Sequence, residues 1–297
     1  MNYYFLLAAA FLFVTRAEWI DIDWSQVKPI EEFDHYWARL PAEWQFLRHH
    51  QTPNQRITNG REATPGQFPY QVALLSQFVD STALCGGSIL TNNYILTAAH
   101  CVEDALGGTA VVGAHNRMAD EESQQRIGYG ADGVILHPEY SVTDLRNDVA
   151  LVHLNSAIEF NERVQPTRLP AADDNRTFSG MTGTVSGFGR TSDSVQTPST
   201  VVMFTSNPII TQATCLGSWG SDSSLIQEQN ICLSGAGGRS TCSGDSGSPL
   251  TVTSGGSILQ VGIASFTSEM GCAIGIPSVF ARVSFFREWI VANSDYS

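Results

Sequence analysis

The chain has 297 residues, 42% of them hydrophobic, which is enough to bury one large core or two smaller ones and excludes a disordered or collagen-like protein. A formal charge of −13 and the lack of any basic run exclude a nucleic-acid-binding surface, which needs clustered Lys and Arg facing phosphate. From residue 57 onward there are 11 Arg, no Lys and 22 Asp plus Glu, so most of the acidity lies there and reads as a solvated, solubilising surface.

The first element is an apolar run from Phe5 to Val14, followed by Thr15-Arg16-Ala17. This is the shape of a signal-peptide core and its small-residue cleavage site. Crossing a bilayer takes about 20 apolar residues, so residues 1–17 are expected to direct secretion and not to anchor the chain, and no membrane partner is expected. Export makes disulfides available to Cys85, Cys101, Cys215, Cys232, Cys242 and Cys272. Six cysteines permit about fifteen pairings, and spacing does not choose among them.

Residues 18–56 differ from all that follows. They hold no cysteine, yet carry Trp19, Trp24, Trp37 and Trp44, four of the chain's six tryptophans. Ile30, Phe33, Trp37, Leu40, Trp44 and Leu47 recur at three- and four-residue steps, an amphipathic helical pattern that Pro41 would kink or split. The pattern fits a docked helical segment, and the composition equally fits a disordered linker.

From Ile57 to about Val283, short β-branched or aromatic runs alternate with Gly, Asn, Asp and Pro. Examples are Gln71–Leu75, Ser88–Thr97, Gly133–Leu136 and Leu259–Ser265. Many short strands with frequent turns predict an all-β sandwich or barrels. Near the end, Phe285, Phe286, Trp289 and Ile290 predict one closing helix that faces a core. There is no internal repeat and no low-complexity tract.

A serine hydroxyl becomes a nucleophile when an imidazole can take its proton, and the imidazole works best when a buried carboxylate fixes its tautomer. Ser246 stands in CSGDSGSPL, where Gly244 and Gly247 allow a tight bend that can aim backbone N–H groups at one point. His100 stands in LTAAHC and Asp148 in RNDVALVHL, each beside an apolar run. Taken alone, each has a bland reading as a turn or strand-end residue. His115, His137 and His153 fall outside these motifs and read as surface or core histidines. His100 beside Cys101, with Cys85 nearby, raises zinc, but no cysteine pair has the short spacing of a zinc site and export favours disulfides.

CGGSIL, LTAAHC, NDVALVHL, CSGDSGSPL and PSVFARV, in that order over residues 57–297, resemble the chymotrypsin family of serine endopeptidases, arthropod digestive members included. The order His, Asp, Ser separates the chain from subtilisins and α/β-hydrolases. The resemblance implies two six-stranded antiparallel β-barrels, about residues 57–169 and 170–297, with a short C-terminal helix. It implies His100 as general base, Asp148 as its orienting carboxylate, Ser246 as nucleophile, and the backbone N–H groups of Gly244 and Ser246 as oxyanion hole. It pairs Cys85 with Cys101, Cys215 with Cys232, and Cys242 with Cys272.

The resemblance further implies that residues 18–56 are an activation segment cut between Arg56 and Ile57 by a trypsin-like protease, after which the Ile57 amine pairs with Asp245. Thr58-Asn59-Gly60 depart from the family's usual next residues, Val-Gly-Gly, so position and the Arg-Ile junction carry this expectation. The substrate pocket falls on Ser240 at its base, with Thr267 and Ser278 on its walls. A Ser at the base leaves a bound Arg or Lys without a counter-charge, so cleavage after uncharged residues is expected, with Leu, Met, Phe or Tyr ahead of Ala or Val.

Protein or peptide substrates and protein inhibitors are the expected partners, with no cofactor and no metal. Some relatives bind calcium in a loop whose first carboxylate falls here on Ala114. A digestive role is favoured, because the arthropod-type cascade proteases often carry a cysteine-knotted module upstream and residues 18–56 lack cysteine. A catalytically silent binding homologue is disfavoured by the presence of all three triad residues. Asn175-Arg176-Thr177 is the one N-glycosylation sequon, which export would permit to be used.

Overall fold

The computed structural model describes residues 19–41, 60–192, 194–268 and 270–297. The expected signal peptide, Trp44, Leu47 and the Arg56–Ile57 junction lie outside the described residues. In chain order the elements are β1 (Val27–Pro29), α1 (Asp34–Arg39), β2 (Arg61–Glu62), β3 (Gln71–Gln77), β4 (Thr82–Ile89) and β5 (Tyr94–Thr97). They continue with β6 (Gly107–Val112), β7 (Gln125–Gly130), β8 (Val134–Leu136), β9 (Ala150–His153), β10 (Thr182–Gly187) and β11 (Met203–Ile210). The remainder are α2 (Gln212–Trp219), β12 (Asn230–Leu233), β13 (Pro249–Ser254), β14 (Ser257–Phe266), β15 (Ser278–Arg282) and α3 (Val283–Ala292).

Two antiparallel sheets result, and each closes on itself. The first runs β7-β6-β3-β4-β5-β9-β8. Since β7 and β8 are halves of one stretch bent at the 3-10 turn Ala131–Gly133, its two edges are one strand and the barrel is six-stranded. The second runs β10-β13-β14-β15-β12-β11, and β10 pairs with β11 to close it. Closure removes the long free edges of the two barrels, which suits strands as uniformly buried as Gln71–Ser76. Leu74, Ile89, Ile95, Leu96 and Leu151 fill the first barrel, and Val185, Ile209, Ile231, Leu250 and Phe280 the second. Each such side chain contributes about 1.5–3 kcal/mol on leaving water.

Strands up to His153 build the first sheet and strands from Thr182 build the second, with two elements crossing over. β2 precedes the first barrel in sequence but pairs with Met203 and Phe204 of the second sheet. Conversely, α3 follows the second barrel but buries Val283, Phe286 and Ile290 in the core of the first. The sequence run Ser88–Thr97 is two strands and not one: Thr91-Asn92-Asn93 form the hairpin turn, with the Thr91 hydroxyl accepting from the backbone N–H groups of Asn93 and Tyr94.

The segment of residues 19–41 is docked. Its helix is shorter than the periodicity suggests, covering Asp34–Arg39 with Ile30 in a preceding 3-10 turn. The reason is Pro41, which holds Leu40 in extended conformation at ψ 152° and ends the helix there. Ile30, Trp37 and Leu40 join the core of the first barrel, while β1 pairs in parallel with Thr82–Leu84 of β4.

The bridges are Cys85–Cys101, Cys215–Cys232 and Cys242–Cys272, the pairs implied by the family resemblance. Closing loops of this length removes about 3 kcal/mol of unfolded-chain entropy each. The first bridge also removes the thiolates that a zinc site at Cys85, His100 and Cys101 would need. Of the other histidines, His115 bonds Glu62 at 3.0 Å, His137 packs on Phe286 and Trp289, and His153 packs on Tyr94. Glu121 closes the loop that begins at Ala114, accepting from the backbone N–H groups of His115 and Asn116.

Candidate active site

Register brings the first two candidate residues together. In the antiparallel pair β5 and β9, Thr97 faces Ala150. The residues just after β5 and just before β9 therefore emerge at the same end of the barrel, and these are His100 and Asp148. His100 sits in the 3-10 turn Ala99–Cys101, which the Cys85–Cys101 bridge ties to β4. Asp148 Oδ2 accepts from His100 Nδ1 at 2.8 Å, and Oδ1 accepts from the His100 backbone N–H at 3.0 Å. Two contacts on one carboxylate fix both the ring and the backbone that carries it.

Ser246 comes from the other barrel, on the turn that leads into β13. Gly244 at φ 94° and Gly247 at φ 83° flank it. A side chain at Gly247 would also collide with the Gly86 carbonyl. The turn is bolted to the first barrel by the Gly86 N–H, which donates to the Ser246 carbonyl at 2.7 Å.

The electrostatics follow from burial. His100 is buried, which by itself would lower its pKa; the charge and hydrogen bond of Asp148, with a further contribution from Glu31, outweigh this and raise it. Asp148 is equally buried, which favours the neutral acid, but His100 and the Ser265 hydroxyl, donating to Oδ2 at 2.6 Å, hold its pKa below the usual range. Asp245, next to Ser246, has no cation among its hydrogen-bond partners within the described residues. Its oxygens accept from the backbone N–H groups of Gly189 at 2.8 Å and Cys242 at 3.0 Å. Burial pushes its pKa up to about 7 despite these bonds, and Glu31 adds to the rise.

Ser240, Thr267 and Ser278 also converge. The Ser240 hydroxyl lies 2.7 Å from that of Ser278 and 3.2 Å from that of Thr267, and Ser278 Oγ accepts from the Thr241 N–H. Asn175 lies exposed on a separate loop, apart from these groups.

Sequence reasoning missed two contributors. Ser265, at the end of β14, completes the shell of Asp148 and carries no motif. Glu31 lies on Ser246: Ser246 Oγ donates to its Oε1 at 2.7 Å, and the Gly244 N–H donates to its Oε2 at 3.2 Å. No local signal marks Glu31, because its partners lie 213 and 215 residues away.

Comparison with known proteins covers the same region. The family model described as Trypsin matches residues 57–290. The chain is 36% identical to a chymotrypsin of Phaedon cochleariae over 245 residues, 82% of this chain and 84% of that protein. It is also 36% identical to brachyurin of Leptuca pugilator over 234 residues, 79% of this chain and 96% of that protein. Among solved structures, HL collagenase superposes with a TM-score of 0.72 at 33% identity, over 80% of this chain and 99% of its own.

Proposed function

Because the chain belongs to the trypsin family of chymotrypsin-type serine endopeptidases, we propose that it hydrolyses peptide bonds through an acyl-enzyme on Ser246. The observation that carries this reading is the hydrogen-bonded line Ser265–Asp148–His100 beside the glycine-flanked Ser246, assembled from both barrels.

In this reading Asp148 keeps a proton on His100 Nδ1, leaving Nε2 free to accept. As Ser246 Oγ attacks the substrate carbonyl carbon, His100 takes the hydroxyl proton. The carbonyl electrons move onto oxygen, where the N–H groups of Gly244 and Ser246 receive them. The C–N bond then breaks as His100 returns its proton to the leaving amine. A water repeats the sequence on the ester and frees Ser246. An imidazolium formed beside buried Asp148 is stabilised in the transient state, which is what the raised pKa of His100 expresses.

The linked hydroxyls of Ser240, Thr267 and Ser278 support a pocket for uncharged side chains, since none supplies the counter-charge that a buried Arg or Lys needs. Three bridges and the apolar run at residues 5–14 support secretion after removal of residues 1–17. Residues 18–56 act as an activation segment and residues 57–297 as the protease domain. A trypsin-like protease cutting after Arg56 would free the Ile57 amine, for which Asp245 is the buried acceptor. A digestive role is favoured by the chymotrypsin and brachyurin relatives.

The test is to cut the purified precursor with trypsin, read the new N-terminus, and measure kcat/KM on peptides that differ only before the scissile bond. Ile57 at the new terminus with hydrolysis that disappears in Ser246→Ala is expected. Undiminished hydrolysis by Ser246→Ala would sink the assignment.

A further inference from the structure

Resting on that reading of the site, we propose that residues 19–40 are an inhibitory ligand of the cleft in their own right, one that stays bound after the cut at Arg56 and binds in trans as a free acidic peptide.

Glu31 supplies the blocking group. Its carboxylate takes the hydrogen of the nucleophile and one oxyanion donor at the same time. A carboxylate there presents no amide bond to break, so the segment fills the site without being a substrate. The Ser246 hydroxyl is meanwhile engaged by an acceptor other than His100.

Contacts on both sides hold Glu31 in place. The Trp37 indole N–H donates to the Glu31 carbonyl at 2.8 Å and closes the turn. Glu32 pairs with buried Arg190 at 2.5 Å, and the Arg190 backbone N–H donates to the Ser243 carbonyl in the nucleophile loop. Tyr36 stands with its ring 5.9 Å from that of His100, and Arg39 reaches Glu103 and Asp104 just beyond it. Upstream, β1 adds to β4, while Trp24 and Trp19 stack on Arg117 and Arg126 at 4.7 and 4.1 Å.

None of these contacts is covalent to the protease domain except through the chain itself, since the segment has no cysteine. Arg56 lies 16 residues beyond Leu40, so the cut severs none of them. Activation therefore has two steps, cleavage and release, and the two can be separated in time.

The experiment uses the full precursor, cut with trypsin until all new N-termini read Ile57. Gel filtration should show the segment co-eluting at micromolar concentration. Dilution to nanomolar should raise activity on a small peptide substrate at least tenfold over minutes. Adding synthetic peptide 19–41 should suppress activity competitively, and its Glu31→Gln version should need at least ten times more. A fluorescent version of each peptide reads binding independently of turnover. If no form hydrolyses peptides, the enzymatic reading fails, yet tenfold weaker binding of the Glu31→Gln peptide still supports the docking. Full activity at once after the cut, with no binding of added peptide at hundredfold excess, would overturn it. So would mass spectrometry showing the bound peptide cut beside Glu31.

Discussion

Asp245 should make the uncut precursor lose stability as pH rises. Its carboxyl is carried from 3.8 to about 7 by burial. At 1.36 kcal/mol per pH unit, ionising it costs the folded state at most about 4 kcal/mol above pH 7. A folded pKa raised above the unfolded value gives stability that is full below pH 3.8 and lost as pH rises through about 7.

Urea unfolding of the Ser246→Ala precursor, followed by tryptophan fluorescence from about pH 4.5 to 7.5, tests this against the same protein carrying Asp245→Asn. The amide adds a constant cost by facing its NH2 to a backbone N–H, but it does not titrate. The difference between the two proteins should therefore slope by about 1 kcal/mol per pH unit or somewhat less through this window. His100, whose pKa is also raised, slopes in the same sense and cancels in the difference. If, as proposed, a cut after Arg56 delivers the Ile57 ammonium to Asp245, the slope should flatten in the cut protein. Parallel curves for the two precursors, within about 0.5 kcal/mol across the window, would refute the reasoning.

Ser265→Ala should leave the fold intact but strip Asp148 of its third donor. A fall in kcat of about three- to tenfold with little change in KM is expected from steady-state kinetics, corresponding to about 1 kcal/mol of lost transition-state stabilisation. On peptides differing only before the scissile bond, Leu or Phe should exceed Arg by at least about tenfold in kcat/KM, about 1.4 kcal/mol of transition-state binding. Ser240→Asp should narrow or reverse that ratio by supplying the counter-charge. The acid limb of kcat/KM should follow protonation of His100, with its midpoint matching an NMR titration of the same ring in the segment-free enzyme.

Much of the frame was legible in the sequence because it rests on local signals. Turn-forming residues punctuate the strands, and the glycines of CSGDSGSPL announce a bend that only they permit. Even so, Ser88–Thr97 reads as one strand until the polar Thr91-Asn92-Asn93 is recognised as a hairpin tip. Ser265, Glu31 and Arg190 were not legible, since they act on partners 117, 215 and 158 residues away. No spacing rule reaches across two barrels. Nor does an amphipathic pattern in residues 18–56 say which surface it covers; for residues 19–41 the apolar core of the first barrel and the side chains of Arg117, Arg126 and Arg190 decide that.

The exchange of terminal segments between the halves has a mechanical meaning. β2 is lent forward to the second barrel and α3 is lent back to the first, where Tyr296 accepts the Leu169 N–H at 2.9 Å and Asp295 accepts from Asn93 at 2.8 Å. The molecule is laced at both ends, like two cups buckled by crossed straps. Neither half can swing without dragging a strand or a helix out of the other. The separation between the imidazole on one cup and the hydroxyl on the other is thus set by the buckles as much as by the surfaces that touch. Trimming α3 and the residues after it would strip Val283, Phe286 and Ile290 from the core of the first barrel and loosen the aim with it.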